Sequence, residues 1–298
     1  MNGEENVATP NLNLNKTEVF EELRQKMIDL ACHSTDKGIS EESVDGEQYV
    51  VSLTTHGSRI ERAFQAIESI FQQSRKVQKI VLYLSDKEFQ GKELPLFLQK
   101  QKERGLDIRY VKDIGPYTKL IPALRDFPDV NIITIDDDHI YPLDLIDRLI
   151  SAHSMNPKAV CCINACLIEM KDGALCNTTN PFIPYYVETY TSSPHHFALG
   201  YAGVLYPPHA LHEEVFNEEK FMKLCPKADD IWFKAMELLQ GTPVLRLPTS
   251  LQEMKLFWQH EDPTYQYMGL KKVNVDKSKN YVQLKAVLDY YKLYDKLK

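Results

Sequence analysis

Three consecutive carboxylates, Asp136-Asp137-Asp138, close the apolar run Asn131-Ile132-Ile133-Thr134-Ile135. Crowding them there is costly without a cation, because like charges a few ångströms apart raise one another's pKa. Asp136 and Asp138, one residue apart on extended backbone, face the same side and offer hard oxygen ligands. That pattern suits Mg²⁺ or Mn²⁺ bridging a diphosphate, where the ion acts as a Lewis acid on a leaving group that departs with extra negative charge. A solvated turn that caps the next helix is the competing reading, and the position behind a buried strand weighs against it. His139 adjoins the triplet as a further ligand, a phosphate contact or a structural flank.

A second acidic pair, Asp229-Asp230, opens an amphipathic run in Cys225-Pro226-Lys227-Ala228-Asp229-Asp230-Ile231-Trp232-Phe233. Acids at a helix start are favoured by the macrodipole, but capping needs one Asp, not two. The second carboxylate is a candidate general base for deprotonating an acceptor hydroxyl. A third constellation, His196 to Pro208, carries Gly200 and Gly203, which permit close backbone approach, and tyrosines that offer faces for sugar stacking. Lys119 and Arg59 each follow a strand end, as phosphate partners or as solvated cations. His260, in an acidic neighbourhood, is a third metal or phosphate contact or a packed histidine.

The elements that must position these groups alternate. A strand over 48–54 is followed by a helix near 59–73, a strand at Lys79–Leu84, a helix near 92–104, a strand at Asp107–Val111, a helix near 117–125 and the strand Asn131–Ile135. Strand and helix taking turns predicts a mostly parallel sheet with crossover helices on both faces. Ligands then bind beyond the carboxyl ends of the strands, which places Thr54 to Arg59, Ser85-Asp86, Asp113 to Lys119 and Asp136 to His139 in one crevice. Beyond it the pattern predicts a helix near 142–153, a strand over Ala159–Leu167, loops without a clear period over 171–210, and a helix from Asp229 to about Leu239. Before the sheet, Val19, Phe20, Leu23, Met27 and Leu30 recur at helical spacing, with Thr17 placed to cap. A closing helix carries a Leu284, Val287, Leu288, Tyr291, Tyr294 stripe fringed with lysines. It packs on the domain or touches a membrane surface.

With 298 residues, 43% of them apolar, the chain can bury a full core. Its formal charge of −7 lacks the basic footprint of a nucleic-acid binder. No run approaches the roughly 20 apolar residues that span a bilayer, and the N-terminus does not read as an export signal. The six cysteines lack CxxC pairs and read as buried free thiols in a reducing compartment. These features predict a cytoplasmic protein, with the inner face of a membrane as an alternative location. Neither GxGxxG nor GxxxxGK[ST] occurs, which argues against Rossmann oxidoreductases and P-loop kinases. The boundaries expected are 1–46 for a polar leader and helix, 47–262 for the main domain and 263–298 for a helical extension.

The ordered set Val51 to Thr55, Lys79 to Ser85, Tyr117 to Leu124, Ile133 to Asp138, Gly200 to Pro208 and Ala228 to Trp232 resembles bacterial glycosyltransferases of the GT-A fold that build capsule or lipopolysaccharide. The resemblance runs over 48–245. It implies a Rossmann-related, mixed α/β sheet and transfer of a sugar from a nucleoside-diphosphate donor, UDP most often, to a glycan or glycolipid hydroxyl. Thr54, Thr55, Ser85 and Asp86 would surround the nucleobase end, with Arg59, Lys119, Asp137 and Gly203 also on the donor side. Asp136 would approach the ribose or the metal, and Asp138 would ligate Mn²⁺ or Mg²⁺; His260, outside the resemblance, is expected to join them on its acidic neighbourhood alone. Asp230 or Asp229 would be the base of an inverting reaction. A sugar nucleotidyltransferase of related fold and a non-catalytic carbohydrate-binding module are the competing functions.

Overall fold

The computed structural model describes residues 16–176, 181–185, 187–250, 253 and 279–298. Its centre is an eight-stranded sheet in the order β10-β13-β5-β12-β4-β1-β2-β3. The strands are β1 (Tyr49–Thr54), β2 (Lys79–Ser85), β3 (Leu106–Val111), β4 (Asn131–Thr134), β5 (Val160–Cys162), β10 (Thr191–Ser193), β12 (Val204–Tyr206) and β13 (Val244–Arg246). Pairings of β1 with β2 and β4, β2 with β3, and β13 with β5 are parallel, whereas β12 and β10 run against their neighbours. The sheet is therefore mixed and mostly parallel, as the alternation predicts.

Period-two alternation along β1 sorts its side chains to two faces. Tyr49, Val51 and Leu53 join Phe64, Ile67 and Ile70 of α2 (Ala63–Phe71) and Leu145, Ile146 and Leu149 of α6 (Leu145–Met155) in one apolar cluster. Val50 faces the other cluster, with Ile231 and Trp232 of α8 (Asp229–Gln240) and Leu284, Val287 and Leu288 of α9 (Lys279–Tyr291). The stripe of the closing helix is thus spent on the core, and Tyr291 meets Trp232 edge-on at 5.8 Å. The apolar stripe that suggested membrane contact faces protein. Among the described residues, no helix is long and apolar enough to cross a membrane.

Smaller elements complete the frame: α3 (Asp86–Phe89), α4 (Leu96–Glu103), α5 (Ile121–Asp126) and α7 (Glu218–Leu224). On the face away from α8, α1 (Lys16–His33) packs against α2 and α4, with Phe20, Met27 and Ile140 buried together. Thr17 lies within α1 rather than capping it. A fully buried ion pair pins α2 to the end of α4, with Arg104 donating to both Glu68 oxygens at 2.8 and 2.9 Å.

Two expectations need correction. The single strand over Ala159–Leu167 is two, β5 and β6 (Ala165–Ile168), in different sheets. The break falls at Ile163-Asn164, where the Asn164 side chain donates to the Tyr201 hydroxyl and accepts from Arg246. The stretch 171–210 is not merely loop. It supplies β12 to the middle of the main sheet, β10 to its edge, and β9 (Phe182–Pro184) and β11 (His196–Ala198) to a small antiparallel sheet around β6. A two-residue hairpin of β7 (Met170–Lys171) and β8 (Ala174–Leu175) stands beside it. Strands of three residues are too short to show a period. Of the cysteines, Cys161, Cys162, Cys166 and Cys225 are buried thiols, but Cys176 is exposed.

Candidate active site

The carboxyl end of β4 delivers Asp136, Asp137 and Asp138 into three different environments. Asp137 points inward, 8% exposed, accepts from Thr55 Oγ1 at 2.5 Å and Arg59 Nε at 3.0 Å, and pairs with a second Arg59 nitrogen. Burial pushes its carboxyl up, with Arg59 opposing. Asp138 shares that guanidinium at 2.8 Å and takes His139 Nδ1 at 2.9 Å. Burial works against its charge, yet His139 and Arg59 hold it well below the usual carboxylate range. Asp136 faces the crevice, its side chain 31% exposed, and pairs through Oδ1 with Lys119 Nζ at 2.9 Å.

Lys119 ends a single 3₁₀ turn (Gly115–Lys119), and its carbonyl accepts from Ser52 Oγ of β1 at 2.5 Å. From there the ammonium also reaches Asp229 at the start of α8, 3.1 Å away. Burial opposes its charge, but Asp136, Asp229 and Asp230 together raise its pKa well above the ordinary value. Asp230, half-buried, lies beside the Gly200 N–H at 3.3 Å. Burial and the neighbouring Asp229 push it up to about 7, while Lys119 pulls the other way. The result is a carboxyl that exchanges its proton near neutral pH, the property required of a general base.

Gly200 closes this cluster from above. A Cβ built there would sit 2.7 Å from Lys119 Nζ and 2.8 Å from Asp230 Oδ1, so only glycine fits the undisturbed arrangement. Gly203, the glycine favoured from sequence, has a different task. Its φ of +95° turns the chain into β12, where a Cβ would meet Leu145 at 3.0 Å. Tyr141 ties the two halves together: its hydroxyl accepts from the Asp136 N–H at 2.8 Å and donates to the Tyr201 carbonyl at 2.9 Å. The Tyr201 ring stacks on His139, with centroids 5.2 Å apart.

Of the residues expected from sequence, Asp136, Lys119, Asp229 and Asp230 converge, and Thr55, Arg59, Asp137 and Asp138 form an adjoining ionic cluster. Thr54 and Ser85 serve local structure: Thr54 Oγ1 donates to the Tyr83 carbonyl at 2.8 Å, and Ser85 caps α3 by accepting from the Glu88 N–H. Asp86 accepts from the Lys87 N–H at 2.6 Å, close by. His260 lies outside the described residues. Sequence reasoning named Gly200 beside Gly203, and Tyr201 among the tyrosines of 196–208, but carried only Gly203 to the donor side, and it did not single out Tyr141. Gly200 and Asp230 stand 30 positions apart, and only the fold brings the two together.

The donor set can be weighed for a divalent cation. Asp136, Asp137, Asp138, Asp229 and Asp230 are five carboxylates against two permanent cations, Lys119 and Arg59, so a surplus of negative charge remains. That surplus fits a hard cation. Among the described residues no group of three or more His, Cys, Asp or Glu side chains gathers around one point, so the charge balance alone bears on a cation here.

No family model matches the sequence, and no curated protein matches it. Several solved structures resemble it weakly. One is a 4-diphosphocytidyl-2C-methyl-D-erythritol synthase, 10% identical at a TM-score of 0.41, covering 74% of this chain and 97% of that one. Another is S. aureus TarS 1-349 in complex with UDP, 11% identical at 0.44, covering 70% of this chain; the chain spans 63% of that fragment. A second structure of TarS 1-349 is 10% identical at 0.45, covering 82% and 72%. Likenesses of this size do not assign a family.

Proposed function

We propose that the protein is a glycosyltransferase of GT-A type that moves a sugar from a nucleoside-diphosphate donor, UDP in the first instance, to a glycan hydroxyl with inversion. The observation that carries this reading is the meeting of Asp230, a carboxyl titrating near 7, with Asp136 and Lys119 at the carboxyl ends of parallel strands. In an open α/β sheet that is where a ligand binds. Asp230 takes the proton of the acceptor hydroxyl as its oxygen bonds to the anomeric carbon. The bond from that carbon to the diphosphate oxygen breaks, and the nucleoside diphosphate leaves with the electron pair. Asp136 and Asp138, with His260, are the residues proposed to hold Mn²⁺ or Mg²⁺, which when bound supplies Lewis-acid neutralisation of the diphosphate.

The loop after β1 disfavours a nucleotidyltransferase, which needs free backbone N–H groups for a triphosphate. In Thr55-His56-Gly57-Ser58-Arg59 there is one glycine, and its N–H already donates to Glu88 Oε1 at 2.9 Å. A screen of nucleotide sugars with Mn²⁺ or Mg²⁺ and glycan acceptors, followed by NMR of the product's anomeric configuration, tests the proposal. Pyrophosphate release from a nucleoside triphosphate and a sugar phosphate, with no transfer from any donor, would contradict it.

A further inference from the structure

Lys119 reads from sequence as a phosphate contact, yet its ammonium is occupied elsewhere. The side chain is 8% exposed and bridges Asp136 at 2.9 Å to Asp229 at 3.1 Å. Its own backbone is fixed to β1 through Ser52, and Gly200 leaves no room above it. The three elements that bring the proposed donor side and acceptor side together, the end of β4, the 3₁₀ turn and the start of α8, therefore meet at one nitrogen.

Resting on the glycosyl-transfer reading above, we propose that Lys119 is a positioning residue: its ammonium locks Asp136 and the Asp229-Asp230 pair into one constellation instead of binding the donor's phosphates. A fixed cation is a rigid way to do this, since it hydrogen-bonds one carboxylate, pairs by charge with another from a second element and so sets the distance between them. Asp229 is then the tether of α8, and Asp230, beside it on the first turn, is delivered to the acceptor. The role leaves donor binding to other groups and acts on turnover.

The experiment compares wild type with Lys119→Gln, Lys119→Arg, Asp229→Asn and the Lys119→Gln/Asp229→Asn double variant. UDP binding by calorimetry and steady-state kcat and KM for transfer are measured with Mn²⁺ present. A positioning role predicts that Lys119→Gln lowers kcat by about 100-fold, the scale of an ångström-sized misplacement. It predicts a UDP Kd within about threefold of wild type, and recovery of at least tenfold in kcat by Lys119→Arg. The double variant is expected to be no worse than the poorer single one, because each removes the same tether. A tenfold or greater weakening of UDP binding with kcat little changed would overturn the assignment and return Lys119 to the phosphates. Additive losses in the double variant would overturn it as well, and urea unfolding of each variant separates loss of fold from loss of positioning. Absence of UDP binding and of any transfer in wild type would sink the glycosyl-transfer reading itself, and the positioning role with it.

Discussion

Replacing Gly200 by alanine separates the catalytic geometry from the fold. The added Cβ would lie 2.7 Å from Lys119 Nζ and 2.8 Å from Asp230 Oδ1, against an ordinary contact of 3.4 Å or more. Each group must therefore retreat by about 0.7 Å, or the loop must lift by a similar amount. Both neighbours are ends of side chains that can move, and φ at this position is not left-handed, so the stability cost should stay near or below 1 kcal/mol. The catalytic cost is larger, because misplacing a reacting group by about 1 Å costs on the order of 100-fold. Gly203→Ala is the control. There the backbone is held at φ +95° and the Cβ meets Leu145, so it should destabilise by about 1–3 kcal/mol. Urea unfolding and initial rates of transfer on both variants distinguish them. Gly200→Ala with wild-type turnover and wild-type stability would refute the reasoning, since it would mean that Lys119 and Asp230 tolerate displacement.

Other consequences follow from particular buried groups. Transfer should rise with pH to a plateau with an apparent pKa near 7, because Asp230 must be ionised to accept the proton; a flat kcat/KM between pH 5.5 and 8.5 would exclude it as base. His196 is buried with Nδ1 donating to the Val244 carbonyl at 3.0 Å, and burial pushes its pKa down to about 4 from 6.5. Its unfolded form binds the proton more readily, so its contribution is complete above about pH 6.5 and is lost as pH falls toward 4. By pH 5 the loss is about 2 kcal/mol, read as the difference between wild type and His196→Gln in denaturant midpoints at pH 5 and 7.5. Glu68→Ala leaves Arg104 buried without its bidentate partner, and should cost about 3–5 kcal/mol without changing the KM of the remaining folded enzyme.

The alternation that predicts the sheet is a local property, and it read well from β1 to β4 because β1, β2 and β4 are buried runs and helical turns separate the successive strands. The elements it missed are short or split. Val204-Leu205-Tyr206 pairs with both β4 and β5, but three residues carry no period. The acids themselves were legible as types at strand and helix ends. What spacing could not show is which cation each carboxylate meets. Arg59 reaches Asp137 across 78 positions, and Lys119 joins residues 17 positions apart to others more than 100 away. Such pairs are set by how β4, the 3₁₀ turn and α8 stack, as is the choice of Gly200 over Gly203 as the residue against the acids.

The division of labour between Asp230 and the donor-side groups is tested most directly by measuring binding and turnover in the same variant. Asp230→Asn keeps the side chain's shape and removes its basicity. Calorimetry with the UDP-sugar and Mn²⁺ should give a Kd close to wild type, while transfer falls by about 10²–10⁴-fold, the usual contribution of a general base. Loss of donor binding in step with turnover, or turnover unchanged, would contradict the account.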